Sequence, residues 1–97
     1  MKLKAKPLTR QTMEILSILK DARGPVTGSV LAGGSGLASG TLYPILIRLE
    51  KTGWISSGWE DANAEKPRRR AYRITALGVK HAQQEAQAWK GLVENFV

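Results

Sequence analysis

Glycine is concentrated in one segment, and that segment limits what the chain can form there. Six of the ten glycines lie between Gly24 and Gly40, and each one costs a helix about 1 kcal/mol relative to alanine. Thr27 can cap a helix with its side chain. The sequence therefore predicts a short second helix that stops at Gly33-Gly34. Because no Gly-Lys-Ser/Thr follows the GGSG run, we interpret it as a turn rather than a phosphate loop.

Apolar residues at helical spacing flank this segment on both sides. Before it, they predict a first helix from Thr9 to Ala22. After it, they predict a third helix that ends near Thr52-Gly53 and buries one face. The apolar stripe of the third helix consists of Leu42, Ile45, Leu46 and Leu49. The opposite face, expected to be exposed, consists of Thr41, Tyr43, Pro44, Ile47, Arg48 and Lys51.

The beginning of the third helix is unusual because it contains Pro44, which removes a backbone hydrogen bond from a helix interior. If Thr41 is the N-cap, Pro44 falls in the first turn, where its missing N–H would be unpaired anyway. The amides of Leu42 and Tyr43 would then be free to approach a phosphate. Alternatively, the helix starts at Ser39 and Pro44 bends its first turn. Contact with a nucleic-acid groove explains either helix end better than core packing does.

After Gly53 the apolar period changes from that of a helix to that of a strand. Two strands are predicted, over 54–60 and 70–75, and both tryptophans of the first strand are expected to cover the core. The polar segment DANAEKPRR between them predicts a hairpin loop. Two strands alone are marginally stable, so the hairpin is expected to pack against the helices.

The last predicted helix is capped by Thr75 and reaches toward Val97. Its apolar residues are separated alternately by three and four positions, which is the heptad pattern of a helix that pairs with another helix. This seam, predicted to form a dimer interface, consists of Val79, Ala82, Ala86, Trp89, Val93 and Phe96.

The order of these elements predicts a mainly α fold with a small β-hairpin: a winged helix-turn-helix plus a C-terminal dimerisation helix. We expect the winged domain over 1–78, with a basic arm at 1–8, and the dimerisation helix over 79–97. In a helix-turn-helix protein, the second helix of the motif enters the major groove and its N-terminal residues contact base edges. Here that helix is the third of the chain.

Charge favours a polyanionic partner. Fifteen Lys and Arg residues against eight Asp and Glu residues give a net charge of +7, which suits nucleic acid or an anionic membrane surface. The chain has no cysteine, so disulfides and thiolate metal ligands are excluded.

Other functional classes lack their characteristic residues. No apolar run approaches the roughly 18 residues that a membrane span needs. The basic N-terminus lacks the apolar segment of a signal peptide, so we expect a cytoplasmic location and no membrane partner. His81 is the single histidine, and the acidic residues form no recognisable acid–base pair. We therefore expect no enzyme activity, no metal site and no cofactor.

Three stretches resemble the PadR-like family of transcriptional regulators: GTLYPILIRLEKTGWI, SGWE and KPRRRAYRITALG. The resemblance covers the chain from about Leu8 to its C-terminus. It implies a homodimeric winged-helix repressor that binds a palindromic operator on double-stranded DNA. It also implies that a small, often aromatic, molecule releases many members from DNA. The sequence departs from the family pattern at Gly28-Ser29-Val30-Leu31, where relatives have a longer second helix.

The expected site residues lie on the third helix, on the hairpin and on the last helix. By its match to the family pattern, Trp89 is a candidate for lining a ligand pocket at the dimer interface. The expected DNA-binding residues are Ser39, Gly40, Thr41, Tyr43, Pro44, Arg48, Lys66, Arg68, Arg69 and Arg70. Strand alternation leaves open whether all three consecutive arginines reach DNA. An alternative function is a winged-helix module that binds protein through the same surface.

Overall fold

The computed structural model describes residues 9–60 and 69–96, and these residues form four helices and three strands. In chain order the elements are α1 (Arg10–Asp21), β1 (Val26–Thr27), α2 (Gly28–Ser35), α3 (Ser39–Lys51), β2 (Ile55–Trp59), β3 (Arg70–Ile74) and α4 (Ala76–Glu94). This order confirms the predicted fold class, a mainly helical winged helix-turn-helix followed by a C-terminal helix.

One apolar core joins the first three helices to the sheet. The predicted stripe of α3 is buried along its whole length, and α1 buries a matching face. Threonine side chains cap three helices: Thr27 for α2 and Thr75 for α4, as the sequence predicts, and also Thr9 for α1. The largest fully buried side chains are Ile15, Leu16, Leu31, Leu42, Leu46 and Ile55.

Helix α2 is longer than predicted. It continues through Gly33-Gly34 to Ser35 and ends at Gly36, whose φ of 73° is left-handed. The prediction that it stops at the glycine pair is wrong because tertiary packing outweighs the glycine cost. Leu31 is fully buried, and the Ser35 hydroxyl donates a 2.6 Å hydrogen bond back to the Leu31 carbonyl.

The sheet has one more strand than predicted among the described residues. Its order is β1-β3-β2, and the two-residue β1 pairs antiparallel with β3, with Val26 opposite Tyr72. A two-residue strand is too short to show a period in the sequence. Strands β2 and β3 form the predicted hairpin, whose predicted loop lies largely outside the described residues.

The two tryptophans of the hairpin have different environments. Trp54 packs against the core, and its ring stacks on His81 with 4.6 Å between ring centroids. The expectation that Trp59 also covers the core is wrong, because more than half of its side-chain surface is exposed. Trp59 lies opposite Arg70 at the far end of the strand pair, beyond the reach of the core.

The turn after α3 is held directly against the start of α4, and we call this contact the α3–α4 joint, formed by Gly53, Trp54, Thr75 and Gly78. Gly53 takes a left-handed φ of 81°, which lets the chain turn sharply from α3 into β2. The Thr75 hydroxyl donates to the Gly53 carbonyl at 2.7 Å, and the Thr75 amide donates to the Trp54 carbonyl at 3.0 Å. The buried Gly78 lies so close to the Trp54 carbonyl that no Cβ fits between them.

We expect Gly78→Ala to destabilise the protein, because the new methyl group would push α4 away from the joint. Overpacking of this kind costs about 1–3 kcal/mol. Gly91→Ala on the same helix is the matched control, since a Cβ there has open space around it. Its free energy of unfolding should rise by up to about 1 kcal/mol, from helix propensity alone. Urea unfolding of both variants measures the difference. Equal shifts in their free energies of unfolding would contradict the close packing of Gly78 in the joint.

Candidate nucleic-acid interface

The exposed face of α3 is the one that the sequence predicts. All six of its predicted members are exposed: Thr41, Tyr43, Pro44, Ile47, Arg48 and Lys51. The opposite stripe is buried, so α3 presents polar, basic and apolar side chains to its surroundings. Its last turn contains two basic residues, Arg48 and Lys51, which favour the C-terminal end of a helix dipole.

Helix α3 begins at Ser39, with Ala38 as its N-cap. Of the two predicted starts, Thr41 as N-cap is therefore wrong and the start at Ser39 is confirmed. The Leu42 amide donates to the Ala38 carbonyl at 2.9 Å, so it is not free to approach a phosphate. The earlier start follows from packing, because Leu37 packs against the core and only Gly36, Leu37 and Ala38 separate α2 from α3.

The open end of α3 consists of the Ser39 and Gly40 amides, which have no intrahelical carbonyl to donate to. Both residues are exposed, and Ala38 provides no side-chain hydrogen bond to cap them. Pro44 lies one turn farther into the helix, where it cannot donate to the Gly40 carbonyl. These two features leave the beginning of α3 with unsatisfied backbone groups that face outward.

Tyr43 packs α3 against the beginning of α2. Its hydroxyl lies against the backbone of Gly28, and a Cβ at that position would collide with it. Gly28 is the first residue of α2 and is buried, whereas the Tyr43 side chain remains 43% exposed. The glycine at this position therefore makes room for the tyrosine of α3.

The base of the wing is tied to α3 by a cluster that we call the wing anchor, formed by Glu50, Ser57, Trp59 and Arg70. The Arg70 Nε donates to Ser57 Oγ at 2.9 Å, and Ser57 Oγ donates to Glu50 Oε2 at 2.8 Å. The Arg70 guanidinium also lies 3.4 Å from Glu50 Oε2 and 5.6 Å from the centre of the Trp59 ring. An exposed ion pair contributes at most about 1 kcal/mol, so the cluster mainly fixes the position of the wing.

Sequence reasoning missed Glu50 as a member of this site. The sequence signal that could have located this site is the alternation of side chains along β2. This alternation puts Ser57 and Trp59 on the same face as the buried Ile55. That face looks toward α3. Glu50 lies near the end of α3, beside the hairpin, and it is half-buried.

The rest of the predicted wing is only partly described. Arg69 is exposed, and its backbone carbonyl accepts a 2.8 Å hydrogen bond from the Glu60 amide. The predicted DNA-binding residues Lys66 and Arg68 lie outside the described residues, as does the basic arm at 1–8. Burial raises the pKa of the neighbouring Tyr72 phenol, an effect that Arg70 opposes, so this buried side chain is neutral at physiological pH.

The seam of α4 divides into a covered part and an exposed part. Ala82 packs against the core and Val79 is half-buried. The exposed part consists of Ala86, Trp89, Val93 and Phe96. Phe96 is 84% exposed and Trp89 is 44% exposed, which is a large apolar surface for two aromatic side chains.

A groove of about 340 Å³ runs between α1 and α4 beside Trp89. Its lining residues are Arg10, Met13, Glu14, Ser17, Ala86 and Trp89. The Trp89 Nε1 donates to Glu85 Oε2 at 2.8 Å, one turn earlier on α4. The indole nitrogen is thus satisfied within the helix.

Metal sites and membrane spans are two further features that the described residues can be checked for. No group of three or more His, Cys, Asp or Glu residues within 9–60 and 69–96 could hold a metal ion. In the same part of the chain, no single helix has the length and apolar character to cross a membrane, although α2 and α3, bent by 115°, pass that test as a pair on length and composition.

The sequence of residues 15–84 matches the Transcriptional regulator PadR-like family. The chain belongs to this family. The match confirms the resemblance found in the sequence, and it makes the chain a winged-helix, DNA-binding transcriptional regulator. The exposed face of α3 and the wing are therefore the candidate DNA interface of a PadR-like protein.

Solved structures agree with this assignment. A PadR family transcriptional regulator from Eggerthella lenta is 30% identical, with a TM-score of 0.73 over 88% of this chain and 76% of that chain. A transcriptional regulator from Clostridium thermocellum is also 30% identical, with a TM-score of 0.72 over 90% of this chain and 89% of that chain.

The fold is shared more widely than the sequence. MepR, a transcription regulator of the Staphylococcus aureus multidrug efflux pump MepA, has a TM-score of 0.73 at 18% identity, over 92% of this chain and 63% of that chain. This likeness concerns the fold alone. No curated protein sequence matches the chain significantly.

We expect Gly28→Ala to change DNA selectivity more than stability. The new Cβ would meet the Tyr43 hydroxyl, and the ring would swing away because the end of a side chain can move. The free energy of unfolding should therefore change by less than about 1 kcal/mol. The preference for a DNA site selected from a random pool, over random DNA, should fall by about 1–3 kcal/mol.

Gly33→Ala is the matched control, because a Cβ at this position of α2 meets no other atom. Its DNA preference should equal that of the wild type in the same competition assay. If Gly28→Ala also kept the wild-type preference, the position of Tyr43 against α2 would have no part in recognition.

Proposed function

We propose that this PadR-like regulator is a repressor that binds a palindromic operator as a homodimer, and that a small aromatic molecule releases it. The observation that supports DNA contact best is the surface of α3. Its uncapped N-terminal end and its exposed basic residues lie on one helix, and the wing is tied to that helix at Glu50. The proposal assigns the 1–78 segment to DNA binding and the 79–97 segment to dimerisation.

The end of α3 supplies contacts of two kinds. Ser39 and Gly40 offer free backbone amides, and a helix N-terminus with free amides suits a phosphate oxygen. Thr41 follows on the outward side with its hydroxyl group, and Tyr43 offers the exposed part of its ring, because its hydroxyl lies against Gly28. Arg48 lies about one turn beyond them. Hydroxyl and guanidinium groups are suited to base edges in the major groove. Pro44 completes the rigid helix end between them.

The wing supplies the nonspecific attraction. Arg69 is exposed next to the predicted loop, where Lys66 and Arg68 also belong, and phosphate contact is the usual role of such residues. Arg70 is engaged by Glu50 and Ser57, so in this proposal it mainly positions the wing beside α3.

The exposed part of the α4 seam supports a homodimer. A second copy of α4 would cover Trp89, Val93 and Phe96, and burying one such side chain stabilises an interface by roughly 1.5–3 kcal/mol. A two-fold dimer counts each contact twice. It would also hold two copies of α3 on one side of the DNA, about 34 Å apart or a multiple of that distance, as a palindrome requires.

The groove between α1 and α4 supports the proposed ligand. Its apolar lining comes from Met13, Ala86 and Trp89, and an indole ring can stack on a flat aromatic molecule. Because the groove borders the exposed seam, a ligand there would contact the helix that forms the proposed dimer.

We expect Arg69→Gln to weaken binding to all duplex sequences by similar factors. Loss of one phosphate contact should lower the slope of log K against log salt by about 0.9. Arg73→Gln is the matched control, because it removes the same charge from an exposed residue of β3 at the end away from the loop.

Fluorescence anisotropy over a range of salt concentrations measures both slopes. Equal slopes for wild type and Arg69→Gln would remove Arg69 from the interface. A wild-type affinity for duplex DNA that does not vary with salt would instead favour the alternative, a winged-helix module that binds protein.

A further inference from the structure

The centre of the outward face of α3 is largely apolar. At 100° per residue, the direction opposite the buried stripe is occupied by Gly40, Pro44, Ile47 and Lys51. The side chain of Ile47 is 56% exposed, and it is the large aliphatic group on this line. Tyr43 and Arg48, which can form hydrogen bonds, lie to either side of the line.

Exposure of one aliphatic side chain is ordinary on a protein surface, so position must support any role for Ile47. It lies one turn beyond Pro44 and one turn before Lys51, in the middle of the face that would enter the groove. An aliphatic group placed against polar base edges would leave their hydrogen-bonding atoms unpaired, which weakens binding. The C5-methyl of thymine is the apolar group that a base presents in the major groove.

We propose that Ile47 is a specificity-determining residue that contacts the C5-methyl of a thymine in each operator half-site. This inference rests on the proposed entry of α3 into the major groove. It goes beyond that proposal by naming the base and the atom that the helix recognises. It also separates two kinds of contact on one helix: apolar contact along the centre line and hydrogen bonds from Arg48 on one flank.

Replacing thymine by uracil isolates the proposed contact. Uracil lacks the methyl group but keeps the O4 acceptor and the same base pairing. Hydrogen bonds from Arg48 to that base are therefore preserved, whereas contact with Ile47 is lost.

The experiment begins with duplexes that the wild-type protein selects from a random-sequence pool. Each thymine of a half-site is then replaced by deoxyuridine, one position at a time, and affinity is measured for three proteins: wild type, Ile47→Ala and Val30→Ala. Val30 is the matched control, because it is an aliphatic residue that is similarly exposed, at 58%, but lies on the neighbouring helix α2 instead of on α3.

We expect the wild type to lose about fourfold in affinity at one thymine of each half-site, the equivalent of about 0.8 kcal/mol for one buried methyl-sized group. Ile47→Ala should bind thymine and uracil duplexes equally at that position. Val30→Ala should keep the fourfold difference. Thermal unfolding of Ile47→Ala should match that of the wild type, because the side chain lies outside the core.

Three results would overturn the inference: selected half-sites without thymine, a wild-type affinity that is unchanged at every thymine, or an Ile47→Ala variant that keeps the full difference. Failure of the proposed function looks different. In that case the wild type would select no duplex sequence from the pool at all.

Discussion

The α3–α4 joint is the contact on which the arrangement of this PadR-like regulator depends. The backbone of Gly78 lies against the Trp54 carbonyl, and Thr75 donates hydrogen bonds to both Gly53 and Trp54. Because α4 starts where the proposed recognition helix ends, the direction of one helix sets the direction of the other. In a dimer held together by α4, this direction would determine the distance between the two DNA-contacting helices.

The basic residues of α3 and of the wing divide into paired and exposed groups. Glu50 forms an ion pair with the guanidinium of Arg70, and this pair ties the wing to α3. Arg48, Lys51 and Arg69 remain exposed for a polyanion. In the proposed complex with DNA, this division would give Arg70 a structural role and leave Arg48 and Arg69 for affinity, so the neighbouring Arg69 and Arg70 need not act alike.

Local patterns predicted most of the fold, whereas long-range contacts account for the errors. The buried stripe of α3 and the caps at Thr27 and Thr75 depend on neighbouring residues, so spacing alone revealed them. The extension of α2 through two glycines depends on the burial of Leu31. The two-residue β1 exists only through its pairing with β3.

The site followed the same division. Exposure of the predicted face of α3 came directly from helical periodicity. The start of α3 at Ser39 was one of two alternatives, and the packing of Leu37 decides between them. The pairing of Glu50 with Arg70 spans twenty residues, and no local pattern links the two. The register of the hairpin brings them together.

The central claim is that α4 joins two copies of α3 into one operator-binding unit. Sedimentation of wild type and Trp89→Asp tests it most directly, with Gln87→Asp as a control that adds the same charge on the other side of α4. We expect a dimer for wild type and for Gln87→Asp. For Trp89→Asp we expect a folded monomer that loses the extra affinity of bivalent operator binding. A Trp89→Asp protein that sediments as a dimer and binds the operator like wild type would contradict it.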